Sequence, residues 1–346
     1  MIKLAKANIP PLVWPMQVVD LFSGIGGLAL GFKQAGFSIT AAVELDGKRA
    51  GVYKRNISPR EMINIDVREV DFSVYRGVDG IIAGPPCQPY SRATPTSRRG
   101  DRHPYYGLDL EVIRAVRQVN PRFVVVEEVP AWRPNIIISE LQKLGYSTHA
   151  EVYDMSTYGA PMRRRRWIVL AFKPGHAMAK LSIPAEPPPK PIDLLGGLPP
   201  EPCSEDPCAH NGAIIYNHVN YSINSKIREL IPKIPPGHSL ATAHKAGLID
   251  ASKYVKDINK KHSYWLYRIH PTEPMPTVPH PRRSMLLHPI YDRVVTVREL
   301  ARLYTYPDWF DFRPLSVDGM YRAITDSVPP KFAEKLAEAL LRALPW

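Results

Sequence analysis

The chain has 346 residues, 45% of them hydrophobic and 23% charged, which excludes a disordered or fibrous protein and leaves room for a large domain plus a smaller one. A net charge of +12 points to a polyanionic partner, most simply nucleic acid. Three cysteines do not make a disulfide framework and suit a reducing cytoplasm; no apolar run reaches the ~18 residues of a membrane span, and Pro10, Pro11 and Pro15 break up any secretory leader.

Val18 to Phe22 reads as a short strand. Gly24, Gly26 and Gly27 follow as a tight turn, and a helix carrying Leu28, Leu30 and Phe32 runs to Gly36. Ile39 to Val43 is the next strand and ends at Glu44. Strand, glycine turn, helix, strand and acid, in this order, make a nucleotide-binding βαβ unit, with the acid placed to hold ribose hydroxyls. NAD and S-adenosylmethionine compete as the cofactor. The glycines do not follow Gly-x-Gly-x-x-Gly, so no pyrophosphate site is specified. Asp66 falls at the end of a third strand, where it could accept from an adenine amino group.

Val78 to Ala83 is an apolar run, interrupted by Asp79 and Gly80, that reads as a buried strand. Gly84-Pro85-Pro86-Cys87-Gln88 then stiffens the turn and sets a cysteine at the start of a polar loop, a place suited to a nucleophile. The loop from Ser91 to His103 is basic and could grip phosphates. Leu110 to Val119 has helical spacing. Arg122 to Val126 is another buried strand, and Glu127 and Glu128 stand at its carboxyl end, where α/β sheets bind ligands. One of these acids, shielded from water, could keep a proton and donate it. Arg163 to Arg166 are consecutive and lead into a strand from Trp167 to Phe172; alternation puts Arg164 and Arg166 on one face.

Residues 184–200 are rich in proline and read as a stiff connector. The stretch from His238 to Tyr267 mixes basic residues with aromatics, a composition suited to reading base edges in a groove. Cys203, Cys208 and His210 lack a clear fourth zinc ligand; a disulfide is the other alternative. Lys331 to Leu341 has helical spacing and should pack back on the first half.

Taken together these pieces resemble the DNA cytosine-5 methyltransferases. Asp20 to Gly27 resembles the family's cofactor motif, with Glu44 and Asp66 at its ribose and adenine positions. Gly84 to Gln88 resembles the nucleophile motif, Glu127-Glu128-Val129 the Glu-Asn-Val motif, and Met162 to Arg166 the Gln-x-Arg-x-Arg motif. Arg298 to Leu303 with Tyr306-Pro307-Asp308, and Tyr321 to Pro330, resemble the two last motifs. Glu128, Met162, Pro89 and Thr325-Asp326 depart from the family's residues at their positions. Framework pieces of a target-recognition region are resembled by Asn217-His218, Ile234 to Gly237 and Pro274 to Val278.

The resemblance implies an α/β, Rossmann-like S-adenosylmethionine methyltransferase domain formed by residues 1–180 and 288–346, with a smaller target-recognition domain at 181–287. It implies methyl transfer to carbon 5 of a flipped cytosine in double-stranded DNA at a specific sequence, through a covalent cysteine adduct. RNA cytosine-5 methylation and a catalytically silent DNA-binding homologue are the alternatives. Cys87, Glu127, Arg164 and Arg166 are the expected catalytic residues. The expected cofactor contacts are Phe22, Ser23, Gly24, Ile25, Gly27, Glu44, Leu45, Asp66, Val67, Pro86, Leu108, Asp326 and Ser327. DNA contacts are expected at Ser91, Arg92, Arg98, Arg99, Lys256, Lys260, Lys261, Arg282 and Arg283. No metal is expected. The expected partners are duplex DNA and, as a candidate, a cognate restriction endonuclease; a monomer in the cytoplasm of a prokaryotic cell, associated with the nucleoid, is expected.

Overall fold

The computed structural model describes residues 15–91, 94–175, 181–254, 264–278 and 284–344. Its centre is a seven-stranded sheet. The strands are β1 (Gln17–Leu21), β2 (Ser38–Val43), β3 (Glu61–Ile63), β4 (Gly80–Ala83), β5 (Phe123–Glu128), β6 (Ser147–Asp154) and β8 (Arg165–Phe172). Their order is β3-β2-β1-β4-β5-β8-β6. The first five are parallel, and β8 enters antiparallel to both β5 and β6. The central strands are buried on both faces, which explains their unbroken apolar runs. The short strand β7 (Met162–Arg163) pairs instead with β9 (Met275–Pro276).

Register brings the important turns to one edge. Leu21 pairs with Ala83, Ala83 with Val126, and Glu128 with Trp167. The turn after β1, the proline turn after β4 and the last residues of β5 therefore emerge side by side. Because β8 runs the other way, its leading residues, Arg164 and Arg166, arrive at that same edge.

Helices cover both faces. On one side α1 (Gly27–Gln34) packs with α10 (Pro330–Ala343), sharing a core that contains Phe32, Phe172 and Phe332. On the other, α3 (Glu111–Val119) and α4 (Asn135–Lys143) cover Val19, Ile81 and Val124. The last helix lies where its spacing placed it, against the first half of the chain. Helix α2 (Gly47–Ile57) and edge strand β6 are elements the sequence reading did not identify. β6 is only partly buried and lacks a clean alternation.

A third apolar cluster, with Leu230, Ile231, Leu240, Leu266 and Leu287, forms a separate small core. It is stitched by Arg268, 4% exposed, whose guanidinium donates to the carbonyls of Ile234 and Ile231, both at 2.6 Å, and of His288 at 3.0 Å. Helix α8 (Val297–Leu303) begins with a Thr296/Glu299 capping box. Arg298 is fully buried and donates to Tyr216 O at 2.8 Å and Pro307 O at 3.0 Å, so this stretch clamps loops together. Cys203 and Cys208 form a disulfide across a separation of five residues. Of the two alternatives for this pair the disulfide is realised, a local staple where the cysteine count had suggested reduced thiols. Among the described residues no helix is long and apolar enough to cross a membrane.

Candidate active site

A cavity of about 640 Å3 opens at the carboxyl edge of the sheet. Cys87, Glu127, Arg164 and Arg166 line it, and so do all thirteen expected cofactor contacts, from Phe22 to Ser327. The edge turns described above are what bring these distant residues together.

One end is built on the first βαβ unit. Gly26 caps α1 at φ 90°, and a Cβ on Gly27 would stand 2.2 Å from Val328 O, so the turn must be bare of side chains. Glu44 accepts from Gly24 N and Asp46 N, each at 2.8 Å, which fixes its carboxylate beside the glycine turn. Asp66 does not end β3; it follows by three residues and caps a short 3-10 turn at Val67–Glu69. Arg68 donates to both its oxygens, at 3.0 and 2.6 Å, and holds its carboxyl below the usual range. Beneath them Asp20 accepts from the Tyr53 hydroxyl at 2.9 Å; burial pushes its carboxyl up to about 8.

These residues fit S-adenosylmethionine. Leu45 and Ile65 are exposed apolar side chains on the lining, at 60% and 41%, and a flat base would cover them. Ser23 Oγ is buried without a hydrogen-bond partner, and the space beside Gly24 is open. Asp326 lies at this end too, joined to Arg49 at 2.9 Å. The sequence reading missed Arg49. Its only local signal is a basic residue in the first turn after the acids Glu44 and Asp46, whose amide is itself capped by Asp46 at 3.1 Å.

The other end holds Cys87, Glu127, Glu128 and Arg166. Cys87, the free cysteine, is part-buried, and burial with the nearby Glu128 pushes its thiol up to about 12. Arg166 Nε stands 3.0 Å from Glu127 Oε1. That contact is an ion pair without hydrogen-bond alignment, because Glu127 Oε1 has no hydrogen-bond partner. Burial and the neighbouring Arg164 hold the Arg166 guanidinium below its ordinary value. Glu128 is 1% exposed, and burial raises its carboxyl well above the ordinary range.

The alternation expected of the arginine run holds: Arg164 and Arg166 turn inward while Arg163 and Arg165 are exposed. Arg164, however, does not reach toward Glu127. It is 2% exposed and donates to the carbonyls of Thr325 at 3.0 Å and Asp326 at 3.3 Å, the end of α9 (Val317–Asp326). Met162 is fully buried in the core.

The basic loop after Cys87 is folded against the cavity mouth. Gly100 N donates to Pro89 O at 2.9 Å, and Pro104, Tyr105 and Leu108 line the opening. Arg98 is exposed and Ser91 half-buried, while Arg99 donates to Thr94 O at 2.6 Å within the loop. Arg92, Lys256, Lys260, Lys261, Arg282 and Arg283 lie outside the described residues.

A family model described as C-5 cytosine-specific DNA methylase matches residues 16–342. Among curated relatives, the type II methyltransferase M.DdeI of Desulfomicrobium norvegicum is 26% identical, over 94% of this chain and 88% of its own. M.XorII of Xanthomonas oryzae is 29% identical, over 94% and 84%. Among solved structures, a prophage-encoded candidate DNA modification methyltransferase of E. coli superimposes with TM-score 0.74 at 24% identity, over 94% of this chain and 99% of that one. The Dnmt2 methyltransferase of S. pombe gives 0.62 at 15%, over 95% and 98%. These structural likenesses show a shared fold.

Proposed function

The chain belongs to the C-5 cytosine-specific DNA methylase family, and from that premise we propose that it methylates cytosine at a specific sequence in duplex DNA through a covalent adduct on Cys87. Enzymes of this family draw their methyl group from S-adenosylmethionine, which supplies an electrophilic sulfonium methyl.

The observation that carries the proposal is that Cys87, Glu127 and Arg166 line the same cavity as Glu44, Leu45 and Asp66. Carbon 5 of cytosine is a poor nucleophile. Addition of the Cys87 thiolate to carbon 6 makes carbon 5 enamine-like. Glu127 delivers a proton to ring nitrogen 3, which draws electrons away from carbon 6 as sulfur adds. Arg166, held against Glu127, neutralises charge growing on the exocyclic oxygen. Arg164 acts at one remove, by fixing the backbone that carries Asp326. After carbon 5 has been methylated and has lost its proton, the carbon–sulfur bond breaks and Cys87 is released.

At the cofactor end, Glu44 would hold the ribose hydroxyls and Asp66 the adenine amino group. Phe22, Ser23, Gly24, Ile25, Gly27, Val67, Pro86, Leu108, Asp326 and Ser327 complete that end. None of the chemistry is possible inside a stacked helix, so the base must be turned out. Residues 181–287 would read the sequence while residues 1–180 and 288–346 carry the chemistry. The exposed Arg98, with Ser91 and Arg99, would meet the backbone. The relatives' description as type II methyltransferases supports a modification role beside a restriction endonuclease. Bisulfite sequencing of duplex DNA treated with protein and cofactor tests the proposal. Protected cytosines at one recurring sequence are expected; unprotected DNA with methylated RNA would overturn the choice of substrate.

A further inference from the structure

We propose that Glu128 is the proton acceptor that converts Cys87 from thiol to attacking thiolate, an inference that rests on Cys87 being the nucleophile. Glu128 is the last residue of β5 and lines the same cavity as Cys87. Its Oε2 is held by the backbone N–H of Val129, which fixes the carboxyl in place. Its Oε1 is buried and has no hydrogen-bond partner. Leaving a buried carboxyl oxygen without a hydrogen bond is costly, and such groups persist where function needs them.

The surroundings favour exchange with Cys87. The charged and titratable groups that face Glu128 are Glu127, Arg166, Cys87, Tyr90 and Asp109. Arg166 is the cation of this set, and it pairs with Glu127. Among charged neighbours, Glu128 acts most strongly on Cys87. Losing the thiol proton to water would create a new charge in a buried place. Handing it to the Glu128 carboxylate leaves the pair's net charge unchanged, so most of the desolvation cost cancels.

The step balances. The S–H bond of Cys87 breaks and an O–H bond forms on Glu128 Oε1. The sulfur electron pair makes the bond to carbon 6. When that bond later breaks, the thiolate recovers the proton from Glu128.

Glu128→Gln separates this role from a merely electrostatic one, because the two predict opposite signs. Removing a negative neighbour lowers the Cys87 thiol toward its ordinary value, so the free variant should react faster with iodoacetamide. If Glu128 only burdened the site, methyl transfer would hold steady or rise with it. As proton acceptor, its loss should cut kcat by about 10²- to 10⁴-fold although the thiol is more reactive. Glu128→Asp should recover part of the rate. Unchanged S-adenosylmethionine affinity and melting temperature establish that the variants are folded. Glu128→Gln at or above the wild-type rate overturns this proposal alone. Wild-type protein that methylates with no adduct between Cys87 and 5-fluorocytosine DNA overturns the nucleophile as well.

Discussion

At the cofactor end of the cavity the carboxylates already have partners: Glu44 takes two backbone N–H bonds at 2.8 Å, Asp66 holds Arg68, and Asp326 holds Arg49 at 2.9 Å. At the reacting end Glu127 Oε1 and Glu128 Oε1 have no hydrogen bond, and the Cys87 thiol is pushed up to about 12. The second group is also the more buried: Glu128, on β5, is 1% exposed, while the Asp326 side chain is 41% exposed. Carboxylates that must hold the same cofactor each time can be satisfied in advance. A site that must exchange protons keeps polarity unmet until a base arrives with its own donors and acceptors.

Four changes sharpen or break this contrast, in falling order of expected effect. Cys87→Ala should reduce methylation to background, with S-adenosylmethionine affinity by calorimetry unchanged; weakened affinity would mean the two ends are not separable. Glu127→Gln should lower kcat by about 10²- to 10⁴-fold with little change in cofactor affinity. Glu44→Ala removes two charge-assisted bonds to backbone N–H groups, each worth about 1.5–3 kcal/mol. It should weaken cofactor binding and lower the melting temperature together, and a loss of kcat alone would contradict the assignment. Arg49→Met breaks a partly exposed pair worth about 0.2–1 kcal/mol, so cofactor affinity should shift only a few-fold. The raised Cys87 thiol adds a pH signature. Its neutral form is favoured, so alkylation by iodoacetamide should climb with pH through and beyond the neutral range, without a plateau there.

Much of the site was legible because parallel strands end where ligands bind. A glycine turn, Glu44, Cys87 and Glu127 each follow an apolar run, and the family resemblance joined them into one expected site. What local pattern could not carry was long-range pairing. Arg49 meets Asp326 across 277 positions, and Arg164 meets Thr325 across 161. Alternation therefore separated Arg164 and Arg166 from Arg163 and Arg165, but did not tell the arginine that grips a helix end from the one that meets a carboxylate. Strand β6 was missed because, at the sheet edge, its residues are neither cleanly buried nor alternating. Thr325-Asp326, a departure that left the cofactor contact open, turns out to line the cavity through Asp326 and to offer its carbonyls to Arg164. Between Cys203 and Cys208 no spacing rule chose disulfide over metal; the structure pairs them in a disulfide.

The most direct test of the central claim is peptide mass mapping after incubation with S-adenosylmethionine and duplex DNA carrying 5-fluorocytosine at the target. Fluorine at carbon 5 cannot leave as a cation in the way the proton does, so a reaction through Cys87 should stall with the DNA bound to the peptide that contains Cys87. Methylation of ordinary DNA by a protein that never forms this adduct, or an adduct on another residue, would contradict the account.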